Sequence, residues 1–146
     1  MSPSAARRLV LDANILIRCV LGSRARELVL THLDEVAFFT PRECFDDARR
    51  YLPDLLRKRS VDPAPALEVL GLLESYIRAL GEEFYLQAKG EALARIEIRD
   101  PRDWPILAAA LTLDCPIWTE DQDFFGTGVP TWTTDRVELY LNATTR

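Results

Sequence analysis

The sequence predicts an α/β domain, a three-layer α/β/α sandwich around a central parallel sheet of about five strands. Short apolar runs alternate along the chain with segments of helical spacing. The runs are mostly apolar throughout, as strands covered by helices on both faces require. The length agrees: 146 residues, 48% hydrophobic and 28% charged, make one domain over residues 1–146 that buries roughly 68–70% of its extended-chain surface.

Arg8-Leu9-Val10-Leu11 is the first apolar run and ends at Asp12; residues 13–21 then read as a helix stopped by Gly22. Helical spacing resumes over residues 23–33. Val36-Ala37-Phe38-Phe39-Thr40 has the β-branched and aromatic content of a second buried strand. In Thr40-Pro41-Arg42-Glu43, Thr40 suits a helix cap and Pro41 the first helical position, while Glu43 falls three residues after the cap, as in a capping box. This third helix runs to residue 58 with a break near Pro53, and residues 60–65 form a connector. Leu67, Leu70, Leu73, Ile77 and Leu80 space an amphipathic helix ended by Gly81.

Glu83-Phe84-Tyr85-Leu86 reads as the third strand and residues 88–96 as a helix weakened by Gly90. Pro105 lacks an N–H and disfavours α conformation in Trp104, so it starts an apolar helix through residue 113 with Asp103 at its entrance. Pro116-Ile117-Trp118-Thr119 is a fourth strand, residues 131–134 a fifth, and residues 136–141 a final helix.

Composition excludes several classes. The longest apolar runs, such as residues 36–39 and 106–111, fall far short of the roughly 18 residues of a membrane span, so a membrane protein is not expected. Residues 1–8 lead into no apolar stretch of secretory type, and a cytoplasmic location is expected. Cys19, Cys44 and Cys115 are far apart and form no C-x-x-C, which indicates reduced core residues. His32 is the single histidine, placed at the surface or half-buried on a helix, so no multi-histidine zinc site can form. A net charge of −5 argues against a globally basic nucleic-acid surface and leaves room for a local basic path.

Asp12 ends the first strand, Glu43 opens the helix after the second, Asp103 stands at the entrance of the helix before the fourth, and Asp121 follows that fourth strand. All can face the carboxyl edge of the sheet, where ligands of such folds bind. Two unit charges about 5 Å apart repel by about 3 kcal/mol at an effective dielectric of about 20, so protons or cations must offset their convergence. Hard oxygen ligands without His or Cys suit Mg²⁺ or Mn²⁺, and phosphodiester hydrolysis is the chemistry such a site fits. Taken singly, Glu43 and Asp103 also serve as helix-start acids, and Asp121 and Asp123 as loop acids. Asp12 points more directly to function, because it gains no capping benefit that Asn14 could not supply.

These blocks resemble a known family. Leu9-Val10-Leu11-Asp12-Ala13-Asn14-Ile15-Leu16 is similar to the opening motif of PIN domains, Asp100-Pro101-Arg102-Asp103-Trp104-Pro105-Ile106-Leu107 to their third acidic block, and Thr119-Glu120-Asp121-Gln122-Asp123-Phe124 to their closing block. Residues 46–98 carry almost no signature. The resemblance implies a parallel α/β/α fold and a metal-dependent ribonuclease of the VapC-like type, often the toxin of a toxin–antitoxin pair. It implies a catalytic, metal-binding quartet of Asp12, Glu43, Asp103 and Asp121, with Asp123 as an auxiliary metal ligand. Asp46 or Asp47 competes with Glu43 for its role. Asn14 and Thr119 match positions that hydrogen-bond to the acids or their waters, or serve as turn and capping residues.

The resemblance further implies Mg²⁺ or Mn²⁺ as cofactor, an RNA substrate, and an antitoxin protein and a homodimer as candidate partners. The exposed part of the residue 67–80 helix is one candidate interface. Arg42, Arg49 and Arg50 are candidate RNA contacts, with a solvated face ion-paired to Asp46, Asp47 and Asp54 as the alternative. Two other functions are open: a non-catalytic PIN-like module that binds RNA or protein, and, more remotely, a haloacid-dehalogenase-type phosphatase, which expects an acid where Asn14 stands.

Overall fold

The computed structural model describes residues 7–97 and 99–143. Strand β1 (Arg7–Leu11) is central because Leu9, Val10 and Leu11 are all fully buried, so it needs a neighbour on each side and cover above and below. It pairs in parallel with β2 (Val36–Pro41) on one side and β4 (Ile117–Trp118) on the other; β3 (Ile77–Leu80) and β5 (Thr131–Trp132) complete the five-stranded parallel sheet in the order β3-β2-β1-β4-β5. The chain first builds outward from β1 to β3 and then crosses back to β4. The order therefore reverses between β1 and β4, and a crevice opens beyond their carboxyl ends.

The α/β/α layers follow from the helix faces. Helix α1 (Ala13–Leu21) packs against α2 (Arg24–Thr31), α3 (Arg42–Lys58) and α4 (Ala64–Leu73). On the other side α7 (Trp104–Leu113) lies directly on β1 and β2, flanked by α5 (Glu82–Tyr85) and α6 (Lys89–Ile96). Helix α7 buries nearly its whole circumference, which its Ile, Leu and Ala content permits. The last helix, α8 (Val137–Leu141), is joined to α2 by Arg24–Glu138 at 2.6 Å. No helix among the described residues is long and apolar enough to cross a membrane.

Most elements lie where the residue pattern puts them, and the middle of the chain differs. The helix expected over residues 67–80 stops at Leu73, and Ile77–Leu80 is the third strand instead. Ile77 and Leu80, three apart, fit helical spacing, whereas in the strand they fall on opposite faces and both are buried; pairing of Ile77 with Phe38 decides the outcome. The interface suggested on that longer helix loses its second half accordingly. Residues 83–86, expected as a strand, belong to α5 and the 3-10 turn Leu86–Ala88. Glu82 and Glu83 fill the first turn of α5, where the helix dipole favours acids.

Three local expectations are also corrected. Helix α3 runs through Pro53 without a break in its assignment, held on either side by buried Leu52 and Leu56. Its start has no capping box: Pro41 occupies the cap position with no side-chain cap bond, and the hydroxyl of fully buried Thr40 donates to the Leu11 carbonyl at 2.7 Å. His32 is buried rather than half-exposed; its ring sits 2.8 Å from the Leu28 carbonyl and 2.8 Å from the Asn142 side-chain oxygen.

The Thr40 bond satisfies a carbonyl at the end of the central strand. Thr40→Val leaves that acceptor buried and is expected to lower stability by about 1–3 kcal/mol in urea unfolding; an unchanged midpoint contradicts this account.

Candidate metal centre

Asp12 follows β1 at the switch point and is only 7% exposed. It is itself the cap of α1: its Oδ1 accepts the Ala13 N–H at 2.6 Å, so the expectation that Asp12 gains no capping benefit that Asn14 could not supply does not hold. Its other oxygen accepts the Thr119 hydroxyl at 2.7 Å and the Asn14 amide at 3.1 Å. Thr119, fully buried after β4, in turn accepts the Asp121 N–H at 2.9 Å, and the Asn14 oxygen accepts the Glu120 N–H at 3.2 Å. The carboxyl ends of β1 and β4 are thus laced together through side chains. Burial raises the Asp12 pKa above the usual carboxylate range, against the bonds from Thr119 and Ala13.

Asp103 stands at the cap position of α7 with no side-chain cap bond, and one oxygen each of Asp103, Asp121 and Asp123 lie within 4.8 Å of one another. Asp121 is placed by its own turn, accepting the Asp123 N–H at 2.9 Å. Among the described residues, buried Asp103 Oδ2 has no donor. Burial first, then repulsion from Asp12, Asp100 and Asp121, pushes the Asp103 pKa up to about 7. Asp12, Glu43 and Asp103 also line one cleft of about 120 Å³. Asp103 therefore links the Asp12 and Glu43 side of the cleft to Asp121 and Asp123. A larger cavity of about 570 Å³, beside Arg8, Phe39, Tyr76 and Arg78, has no comparable set of carboxylates.

The competing residues separate in space. Asp47 lines the same cleft as Glu43, whereas Asp46 does not and lies 3.6 Å from Arg49. Arg49 also bonds Glu74, and Arg50 bonds Asp47, so both of these candidate RNA contacts are engaged in ion pairs. Arg42 is exposed at the start of α3 with no ion pair among the described residues. Glu120 accepts from the Thr134 N–H at 2.8 Å and lies 3.8 Å from Arg18. Its charge is thereby committed beside the crevice. Asn14, bonded on both sides of its amide, offers no proton to a phosphatase-type reaction.

Tyr85 is the residue missed from sequence. It is buried, its hydroxyl donates to Glu43 at 3.4 Å, and its ring meets Trp104 edge-on with centroids 5.6 Å apart. Its sequence signal, an aromatic among residues 83–86, reads as strand content.

A buried acceptor without a donor in a half-buried carboxylate set fits a divalent cation, and all-oxygen donors suit a hard ion. Fold and site together define an α/β/α domain with a carboxylate cleft at its switch point. The chain belongs to the PIN domain family, whose model matches residues 10–142. Solved structures share the fold. PAE2754 from Pyrobaculum aerophilum superposes with a TM-score of 0.72 at 18% identity, over 96% of this chain and 92% of its own. VapBC2 from Rickettsia felis, solved bound to a DNA fragment from its promoter, gives 0.66 at 12% identity, over 86% of this chain and 98% of its own. No curated protein matches the sequence.

The Asp103 shift fixes a sign. With a folded pKa of about 7 against an ordinary 3.8, the folded protein retains a proton that the unfolded chain has released, so ion-free stability falls as pH rises through that window. Asp103→Asn is expected to flatten this slope and to stabilise the protein in EDTA at pH 8 by on the order of 1 kcal/mol, allowing for partial exposure. Urea unfolding at pH 5 and pH 8 measures it, and parallel pH dependences in the two proteins contradict it.

Proposed function

We propose that this chain acts as a single PIN domain, a Mg²⁺- or Mn²⁺-dependent endoribonuclease that hydrolyses single-stranded or looped RNA to leave a 5′-phosphate. The observation that carries this reading is the buried, unpartnered oxygen of Asp103 among the carboxylates of Asp12, Asp121 and Asp123. Asp12, Glu43, Asp103 and Asp121 would hold the cation, with Asp123 in support. When bound, the ion supplies Lewis acidity at the phosphodiester and activates water for its attack.

The chain's own residues prepare that site. Thr119 and Asn14 fix the Asp12 carboxylate by donating to one oxygen. Tyr85 steadies Glu43 from behind the cleft. The Asp121 turn sets the third carboxylate against Asp103. Such outer partners keep ligands oriented before the ion arrives.

Membership of the family and the likeness to VapBC2 support a toxin role, with an antitoxin protein as partner and a homodimer as the assembled form; a cytoplasmic location is part of the same proposal. The RNA preference rests on family membership.

Purified wild type is expected to cleave an end-labelled single-stranded RNA in Mn²⁺ or Mg²⁺ and to stop in EDTA, while Asp12→Asn is inactive but folded. RNA binding without metal-dependent cleavage would instead favour a non-catalytic binding module. Thr119→Val, which keeps all the acids, is expected to lower activity or metal affinity about 10–100-fold; full activity in that variant contradicts the orienting role.

A further inference from the structure

Among the residues lining the acidic cleft, Arg102 is the one cation, set against Asp12, Glu43, Asp47 and Asp103. An RNA strand brings phosphate charge to this opening, and each of those carboxylates repels it. Arg102 lies in the 3-10 turn Pro101–Asp103, immediately before the carboxylate of Asp103. Asp100 caps that turn by accepting the Arg102 backbone N–H at 3.1 Å. It also grips the guanidinium with both oxygens, Oδ1 on Nε at 3.1 Å and Oδ2 on Nη2 at 3.1 Å.

An exposed pair of this kind contributes little to stability. Its consequence is geometric. A guanidinium has five N–H donors in a rigid fork, and the two bonds to Asp100 leave the others without a partner among the described residues. The side chain is 89% exposed, so an approaching strand can reach them. Arg49 and Arg50 are likewise paired with acids, but neither they nor Arg42 line the cleft.

We propose that Arg102, oriented by Asp100, binds a phosphate oxygen of the RNA strand at the mouth of the cleft. This rests on the nuclease reading above and adds a substrate contact to it. Arg102 offsets the repulsion a phosphodiester meets from the acids and sets the strand's register; the acids remain responsible for the cation.

The test compares wild type, Arg102→Ala, Arg102→Lys and Arg59→Ala on a single-stranded oligoribonucleotide in Mn²⁺, over a series of salt concentrations. Arg59 is exposed at the opposite end of α3 from Glu43, roughly 24 Å along the helix axis. Arg102→Ala is expected to raise KM about three- to tenfold with a smaller change in kcat. It should also lower the slope of log affinity against log salt by about 0.7, the value for one phosphate contact on a single strand. Arg102→Lys recovers the slope, Arg59→Ala leaves KM and slope at wild-type values, and Mn²⁺ raises Tm equally in wild type and Arg102→Ala.

Cleavage by all four proteins with the same KM and slope overturns the Arg102 assignment alone. An equal loss in Arg59→Ala, or loss of the Mn²⁺-induced Tm rise in Arg102→Ala, overturns it as well, since the first denotes general surface charge and the second a role in holding the ion. Failure of the wild type to bind or cleave any RNA overturns the nuclease reading and this inference with it.

Discussion

The hydrogen bond from Thr119 to Asp12, 2.7 Å long and buried, fastens together the carboxyl ends of the two strands between which the sheet order reverses. Everything at the site is placed relative to that bond. Leu11 must be in the sheet for Asp12 to stand at its edge, and β4 must pair with β1 for Thr119 to arrive beside it. Asp121 then follows from a turn that begins on the same threonine hydroxyl.

The cleft concentrates charge that the protein alone does not neutralise. Asp12 is almost fully desolvated, Asp103 has a buried oxygen with no donor, and the acids raise one another's proton affinity. Several neighbouring acids are matched: Asp46 by Arg49, Asp47 on the cleft wall by Arg50, Glu120 by Thr134 and Arg18, and Asp100 by Arg102. The contrast separates acids that serve the surface from acids left to a ligand. It also explains why local charge balance on α3 coexists with an unbalanced cleft at its first turn.

Much of this was legible in the sequence, for identifiable reasons. An apolar run that stops on an acid marks a buried strand and its edge, so Asp12 and β1 were readable together, and the prolines around Trp104 placed Asp103 at a helix start. The quartet was legible as four acids at a common edge; its linkage through Asp103 arises from the tertiary fold, which local spacing does not reveal. Residues 77–80 read as the continuation of a helix because a four-residue strand offers too few positions to distinguish period two from period 3.6, and pairing with β2 overrides local spacing; residues 83–86 read as a strand on their aromatic content, where the structure has a short helix. Tyr85 was lost with that misreading. Thr40 was given a capping role on local chemistry, whereas its hydroxyl serves a carbonyl 29 residues away in sequence, a partner that short-range patterns do not reveal.

The central claim is that these acids form a cation site before any substrate is present. A crystal of the wild type soaked in Mn²⁺ and measured at the manganese absorption edge tests it most directly. The account predicts anomalous density in coordination contact with carboxylate oxygens of Asp12, Asp103 and Asp121. A fully ordered cleft with no anomalous density, or manganese bound only elsewhere on the chain, would contradict it.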